Sequence, residues 1–156
     1  MAGRETGGKI LANNKKAFFD YFIEEQMEAG IELVGTEVKS IRMGKVSIKE
    51  SYIRIENGQI YIIGMNVTPY EKGNIFNGDP MRVRRLLLHK DQINKLEAAS
   101  ARSGYTIVPL NVHLTRGRVK IQIGLGKGKK NYDKRESIAK RDQQRAIERE
   151  FRMRVR

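Results

Sequence analysis

Val108-Pro109-Leu110-Asn111-Val112-His113-Leu114-Thr115-Arg116-Gly117-Arg118-Val119-Lys120-Ile121-Gln122-Ile123 is the stretch on which the fold class turns. Val108, Leu110, Val112 and Leu114 alternate with other residues, the chain turns at Thr115-Arg116-Gly117-Arg118, and Val119, Ile121 and Ile123 resume the same period of two. Because successive side chains of a strand point to opposite faces, this pattern predicts an antiparallel hairpin with one strongly specified core face. Upstream, Ser51-Tyr52-Ile53-Arg54-Ile55-Glu56 and Gln59-Ile60-Tyr61-Ile62 flank Asn57-Gly58, a dipeptide that tolerates the positive φ angles of a type I′ turn. A second hairpin is predicted there. Between the two, Ile93, Leu96 and Ala99 or Ser100 recur at helical spacing within Asp91 to Ser103, and Gly104 is placed to take the left-handed C′ conformation.

Tyr21-Phe22-Ile23-Glu24-Glu25 and Ile31-Glu32-Leu33-Val34 read as strands joined through Glu28-Ala29-Gly30, and Glu37 to Arg42 as a short helix. Pro69 to Pro80 holds Gly73, Asn74, Asn77, Gly78 and Asp79, a turn-forming cluster that reads as loop. Short strands in hairpins with inserted helices predict a mainly β chain: an OB-like antiparallel β-barrel followed by a disordered basic C-terminal tail. The expected division is a flexible N-terminal arm over 1–13, a barrel over 14–125 and a basic tail over 126–156.

Charge follows that division. The 156 residues carry 31 Lys and Arg against 18 Asp and Glu, a net charge of +13. Residues 1–125 hold 19 basic and 13 acidic side chains and residues 126–156 hold 12 and 5, so more than half of the excess sits in a fifth of the length. The tail's large apolar groups, Tyr132, Ile138, Ile147, Phe151, Met153 and Val155, are too few to build a core. Such a chain has a polyanion as its natural partner. The absence of cysteine excludes a disulfide framework, a thiolate metal site and a cysteine nucleophile, and fits a reducing, cytoplasmic setting. Apolar runs of a few residues, such as Leu86 to Leu88, fall far short of the roughly 20 that span a bilayer, and the N-terminus does not read as a secretory signal.

Several groups of residues suit RNA. Asn13-Asn14-Lys15-Lys16 places two amides and two ammonium groups where they reach phosphate and ribose oxygens, or else forms a solvated terminus. Arg82, Arg84 and Arg85 precede Leu86-Leu87-Leu88-His89-Lys90. In an extended segment Arg82 and Arg84 share a face, giving a cationic ridge beside a buried strand or helix start, or solubilising gatekeepers. His89 and His113 are the only histidines and show no metal-ligand spacing, so no metal is expected. His89 suits a nucleotide contact or a helix cap. Glu24, Glu25, Glu28, Glu32 and Glu37 form an acidic stretch in a basic protein. General acid/base work on RNA and plain solvation are both open to them, and Glu28 has the further use of accepting from base amino groups.

Gly124-Leu125-Gly126-Lys127-Gly128-Lys129-Lys130 lacks the spacer of a phosphate loop and reads as a flexible basic exit from the last strand. Beyond Asp133, Glu136 with Lys140, Glu148 with Arg152 and Glu150 with Arg154 stand at helical distance, and Ile147, Phe151 and Val155 form an i, i+4, i+8 stripe. Each pair contributes only about 0.2–0.5 kcal/mol, so the tail is expected to be disordered alone and helical on its partner. The narrow apolar face, with charges mixed around the cylinder, argues against a membrane surface.

Asn14-Lys15-Lys16-Ala17, Tyr21-Phe22-Ile23-Glu24-Glu25, Glu28-Ala29-Gly30-Ile31, Gly35-Thr36-Glu37-Val38-Lys39-Ser40, Asp79-Pro80, Arg85-Leu86-Leu87-Leu88-His89-Lys90, Gly126-Lys127-Gly128-Lys129-Lys130 and Asp133-Lys134-Arg135 together resemble, in order and spacing, the small protein B family. These are the SsrA-binding proteins of bacterial trans-translation, and the resemblance runs from about Ile10 to Arg149. It implies an OB-fold barrel that binds the tRNA-like domain of tmRNA (SsrA RNA), with no catalytic centre and no cofactor. The body would stand where the anticodon arm of a tRNA stands, and the tail would probe the decoding centre and empty mRNA channel of a stalled ribosome.

By the same resemblance Asn14, Lys15, Glu28, Leu87 and His89 fall on positions used for tmRNA contact, and Asp133-Lys134-Arg135 on the signature that engages the decoding region. Tyr132 and Phe19 stand where other members carry histidine, and Gly126 where alanine is usual. The candidate RNA-binding set is thus Asn14, Lys15, Lys16, Glu28, Arg82, Arg85, Leu87, His89, Lys127, Lys129 and Lys130. Tyr132, Asp133, Lys134 and Arg135 form the ribosome-contacting set. The expected partners are tmRNA and the ribosome, with the protein itself monomeric. Two rivals are a small RNA-acting enzyme using the Glu24 to Glu37 carboxylates with a histidine, and a structural ribosomal protein.

Overall fold

The computed structural model describes residues 9–70 and 79–154, so the first eight residues of the arm and most of the Pro69 to Pro80 loop lie outside the described residues. In chain order the elements are β1 (Ile10–Asn13), α1 (Lys15–Asp20), β2 (Tyr21–Ile31), α2 (Gly35–Arg42), β3 (Val46–Ser47), β4 (Tyr52–Glu56), β5 (Gln59–Ile63), β6 (Asn66–Val67), β7 (Arg84–Leu87), α3 (Lys90–Ser100), β8 (Tyr105–Thr115), β9 (Arg118–Gly128) and α4 (Asn131–Arg154).

Seven strands form one antiparallel sheet in the order β1-β8-β9-β2-β7-β5-β4, and β3 pairs with β6 apart from it. The sheet curls until β4 lies against β8 without a ladder between them, an OB-like barrel left open on one side. Its main core gathers Ile60 and Ile62 of β5, Leu86 of β7, Val112 of β8, Ile121 and Ile123 of β9, Ile41 of α2, and Ile93 and Leu96 of α3. Both predicted hairpins are present. Asn57 and Gly58 (φ 51° and 76°) and Arg116 and Gly117 (φ 53° and 78°) occupy the left-handed region at both central positions, as a type I′ turn requires.

The single core face expected of the long hairpin is divided in two. The register of β8 against β9 slips between Pro109 and Asn111, and this bulge shifts the side-chain phase. Val112 and Leu114 face the main core, while Val108 and Leu110 pack in a smaller cluster with Ala17, Tyr21 and Ile23 beneath α1. The bulge also frees two carbonyls of β8. Asn14 answers both: its backbone N–H donates to Leu110 O (2.8 Å) and its side-chain amide to Pro109 O (2.9 Å).

Other boundaries differ from expectation. Glu28-Ala29-Gly30 is the interior of β2, not a joint, and Glu32-Leu33-Val34 lies beyond the strand's end. Gly30 marks a close approach, since a Cβ there would stand 3.2 Å from Leu87 Cβ. Helix α2 starts at Gly35, where the Glu37 carboxylate accepts the Val34 N–H at 3.0 Å. Helix α3 stops at Ser100, and Gly104 (φ 82°) belongs to the turn into β8. Ile10–Asn13, read as part of a flexible arm, is paired with β8, and β9 continues to Gly128, three residues past the expected edge of the barrel. Residues 131–154, expected to be disordered alone, form a 24-residue helix, longer than the roughly 12–15 residues below which an isolated helix is marginal.

Arg82 and Arg84 do not make an exposed ridge. Arg84 is fully buried and donates through Nε and Nη2 to Glu37 Oε2, with further bonds to the carbonyls of Met65 (2.8 Å), Arg82 (3.0 Å) and Pro80 (3.1 Å). Arg82 donates to the other oxygen of the same carboxylate at 2.7 Å. Burial raises the Glu37 pKa, but donation from Arg82, Val34 and Arg84 together with the Arg84 charge outweighs it, leaving the carboxyl below its ordinary 4.5. Glu37→Gln would leave Arg84 buried without its counter-charge and should cost about 3–5 kcal/mol at neutral pH, read by denaturant unfolding. Because the folded carboxyl is held below 4.5, its contribution is fully present above that pH and lost as pH falls through the folded value. The gap between wild type and Glu37→Gln should therefore close on acidification; a gap constant through that titration would refute the clamp.

Candidate nucleic-acid interface

On the outer face of the sheet, three neighbouring strands present polar side chains opposite the core. Asn111, His113 and Thr115 come from β8, Lys120 and Gln122 from β9, and Gln26 and Glu28 from β2. The alternation that buries Val112, Ile121 and Ile123 sends these residues to the other side. His113 is 2% exposed, yet both ring nitrogens are bonded: Nδ1 lies 2.7 Å from Asn111 Oδ1 and Nε2 lies 2.7 Å from Glu28 Oε2. Thr115 donates to the same Oε2 at 3.0 Å. Burial raises the Glu28 pKa, but the bonds from His113 and Thr115 and the charges of His113 and Lys120 carry it below its ordinary value. Glu28 is thus an anion held in place on a basic surface, and its Oε1 atom accepts no hydrogen bond among the described residues.

Two residues along β2, Gly30 faces Leu87 of β7 on one side and Lys120 of β9 on the other. Here a cleft of about 360 Å³ opens, floored by Leu87, Val119 and Val38 and rimmed by Arg42, Arg118 and Lys120. Arg42 of α2 reaches across it to donate to Gly117 O in the β8–β9 turn. Leu87 is 45% exposed, an apolar contact surrounded by cations. His89 follows at the N-cap of α3, where its backbone N–H donates to Gln92 Oε1 at 3.0 Å and its exposed ring is left to solvent. Glu28, Leu87 and His89, read as contacts from the sequence, come together at this end of the sheet. Arg42, Lys120 and His113 complete the surface; sequence reasoning did not select them, although the placing of His113 and Lys120 opposite the apolar phase was their available signal.

The remaining candidates gather at the far end of β2 and β9. Lys127 lies seven residues from Lys120 along β9, roughly 24 Å at about 3.4 Å per residue. Its ammonium lies 6.0 Å from the Tyr105 ring, whose other neighbour is the Arg102 guanidinium at 4.0 Å. Lys129 donates to Phe18 O at 3.2 Å and stands 4.9 Å from the Phe22 ring. Lys15 and Lys16 are exposed on α1, and Lys130 leads into α4, where Asp133 accepts the Lys130 N–H at 3.2 Å. Helix α4 touches the body through Lys134 and Asp20 (3.5 Å) and through Arg141 over Phe19 (5.9 Å). Arg135 is exposed, and Tyr132 lies in the first turn of α4. A Cβ on Gly126 would stand 2.9 Å from Tyr21 Cβ, so glycine lets Tyr21 lie flat on β9 where alanine would displace it.

Three candidates are occupied within the fold. Asn14 is spent on the β8 bulge, Arg82 on Glu37, and Arg85 on Glu32 at 2.9 Å. The acidic stretch is dispersed in the same way: Glu24 accepts from Tyr105 Oη (2.9 Å), Glu25 faces Lys95 (3.6 Å), and Glu28, Glu32 and Glu37 have the partners given above. Among the described residues no group of three or more His, Asp or Glu is placed to hold a metal ion, and no helix is long and apolar enough to cross a membrane.

Residues 11–153 match the family model of the SmpB protein. The SsrA-binding protein of Lachnoclostridium phytofermentans is 60% identical over 147 residues, covering 94% of this chain and 96% of its own length. That of Fusobacterium nucleatum is 63% identical over 142 residues, 91% and 96% of the two chains. A solved chain from the structure described as "tmRNA-SmpB: a journey to the center of the bacterial ribosome" superimposes with a TM-score of 0.64 at 43% identity, covering 81% of this chain and 92% of that one. With the barrel and both cationic ends in place beneath that similarity, the chain belongs to the SmpB family of SsrA-binding proteins.

Proposed function

We propose that this protein binds the tRNA-like domain of tmRNA with the Glu28–Leu87–His89 end of its barrel and delivers it to stalled ribosomes for trans-translation. The tail substitutes for codon–anticodon pairing by probing the decoding centre and the empty mRNA channel. One observation carries the reading: two cationic surfaces stand at opposite ends of β2 and β9, one with an anchored carboxylate and an apolar cleft, the other continuous with α4. A bridging protein needs two RNA-facing ends. The names of the relatives and the description of the structural neighbour support the same partners, tmRNA and the ribosome.

The protein acts by binding and transfers no group. Glu24, Glu25, Glu32 and Glu37 each have their own hydroxyl or cation partner, and the Glu28–His113 pair keeps its ring only 2% exposed, out of reach of a ribose hydroxyl. Its place of work is the cytoplasm, where it meets ribosomes as a monomer. The tail acts conditionally. The Lys134–Asp20 and Arg141–Phe19 contacts to the body lie at the surface, each contributing at most about 1 kcal/mol, and weak contacts of this kind let α4 exchange the body for a vacant channel, from which message would exclude it.

Titration of the tRNA-like domain at about 150 mM salt, with excess elongator tRNA as competitor, tests the body. Specific binding should survive the competitor and weaken about tenfold with Glu28→Ala or His89→Ala; complete displacement by elongator tRNA would reduce the protein to a general basic RNA binder. Truncation after Lys130 tests the tail. Tagging of stalled peptides should be abolished while affinity for the tRNA-like domain stays within about twofold, the size of a peripheral contact, and loss of RNA binding by the truncated protein would overturn the division of labour.

A further inference from the structure

Within the reading above, on which this inference rests, the geometry points to His113 as a positioning residue for RNA recognition: it fixes the Glu28 carboxylate so that Oε1 is presented to a hydrogen-bond donor of the RNA. His113 is 2% exposed and cannot itself touch a ligand on this face. The Glu28 side chain is 29% exposed, so the carboxylate can. Between them runs a chain of bonds across three strands: Asn111 Oδ1 to His113 Nδ1 at 2.7 Å, His113 Nε2 to Glu28 Oε2 at 2.7 Å, with Thr115 donating to that same Oε2 at 3.0 Å.

Two donors converging on Oε2 turn a side chain with three rotatable bonds into a fixed acceptor, and both are held by β8 while Glu28 stands on β2. Asn111 lies against the other ring nitrogen, so the ring cannot rotate away from Glu28 without giving up a second, partly buried bond.

The fixed acceptor gives a chemical selection that cations alone do not. Lys120, close enough to act on the Glu28 charge, and Arg42 and Arg118 of the neighbouring cleft attract any phosphate backbone. A phosphate has no proton to offer Oε1 and is repelled by its charge. A base amino or imino group, or a ribose 2′-hydroxyl, donates to it. The ligand at this point is therefore the donor edge of an exposed nucleotide, set beside Leu87 and Gly30. A mobile carboxylate would meet the same donor at an entropic cost and discriminate less.

The test is a double-mutant cycle on the full-length protein, reading affinity for the tRNA-like domain of tmRNA under elongator-tRNA competition, with thermal unfolding recorded for every variant. His113→Leu should weaken binding about tenfold, the loss expected when a charged hydrogen bond is misplaced, and should add less than about twofold in a Glu28→Ala background. His113→Gln, which can again donate an amide N–H toward Oε2, should restore most of the affinity. If His113→Leu does not fold, Thr115→Val removes the other donor and should show the same non-additivity at smaller amplitude. Losses from His113→Leu and Glu28→Ala that simply multiply, or an unchanged affinity for His113→Leu where Glu28→Ala is impaired, would overturn the positioning role and leave the tmRNA reading standing. Unchanged affinity for Glu28→Ala itself would overturn both the positioning role and the use of this face for RNA.

Discussion

A guanidinium with none of its surface in water is the constraint from which the rest of this structure follows. Arg84 ties the Glu37 carboxylate of α2 to the carbonyls of Met65, Pro80 and Arg82, so one side chain joins a helix, a strand end and a connecting loop. An unpaired charge at that depth would cost several kcal/mol, and the geometry therefore permits one placement of α2 relative to β7. That placement sets the surface proposed to bind RNA. β7 carries Leu87 to the side of Gly30, and α2 carries Arg42 to the Gly117 carbonyl, closing the two walls of the cleft.

The sequence made the hairpins legible because they are local. Asn57-Gly58 and Arg116-Gly117 are read from their neighbours, and the strands beside them repeat with a period that two faces enforce. The bulge at Leu110 was not legible as such, since Val108, Leu110, Val112 and Leu114 look like one face until the register slips and divides them between two clusters. Arg84 was misread for a related reason. It shares strand parity with Leu86, which puts both on the core face, but an arginine is tolerated there only if a carboxylate arrives, and Glu37 comes from 47 positions away on a different element. Long-range partners of buried charges are the information that periodicity does not carry.

The binding surface divides along the same line. Glu28 and His89 are singled out both by their chemistry and by resemblance to a family, Leu87 by the resemblance alone, and the structure gathers them at one end of the sheet. Lys120 and His113 stood in plain view as polar residues alternating with Val112, Ile121 and Ile123, but an alternating polar residue is ordinarily a solvated one. What separates His113 from that ordinary case is its burial and the Glu28 carboxylate, which stands on β2 two strands away and two residues off the His113 register, within reach of the ring. Asn14 shows the converse: a short polar side chain in a basic arm resembles a ligand contact, and its amide is consumed by a carbonyl that the bulge exposes.

The two halves of the chain are built to different tolerances, and the difference has a physical purpose. The barrel holds Glu28, the carboxylate proposed for recognition, by partly buried bonds, because a hydrogen bond discriminates between donors only if the acceptor cannot move to accommodate the wrong one. The tail helix has the opposite construction. Its described side chains are largely exposed, Ile147 among them at 66%, and Lys134 and Arg141 make surface contacts that salt and solvent weaken. On the proposed function weak anchorage favours the tail's transfer, since every contact made with the body would have to be broken before a channel is entered. Net charge concentrated in that segment supplies long-range attraction to RNA without fixing geometry. Rigid recognition at one end and unspecific attraction at the other are what a molecule spanning two RNAs requires, because precise geometry at both ends would demand that the two RNAs be fixed relative to each other before the bridge could form.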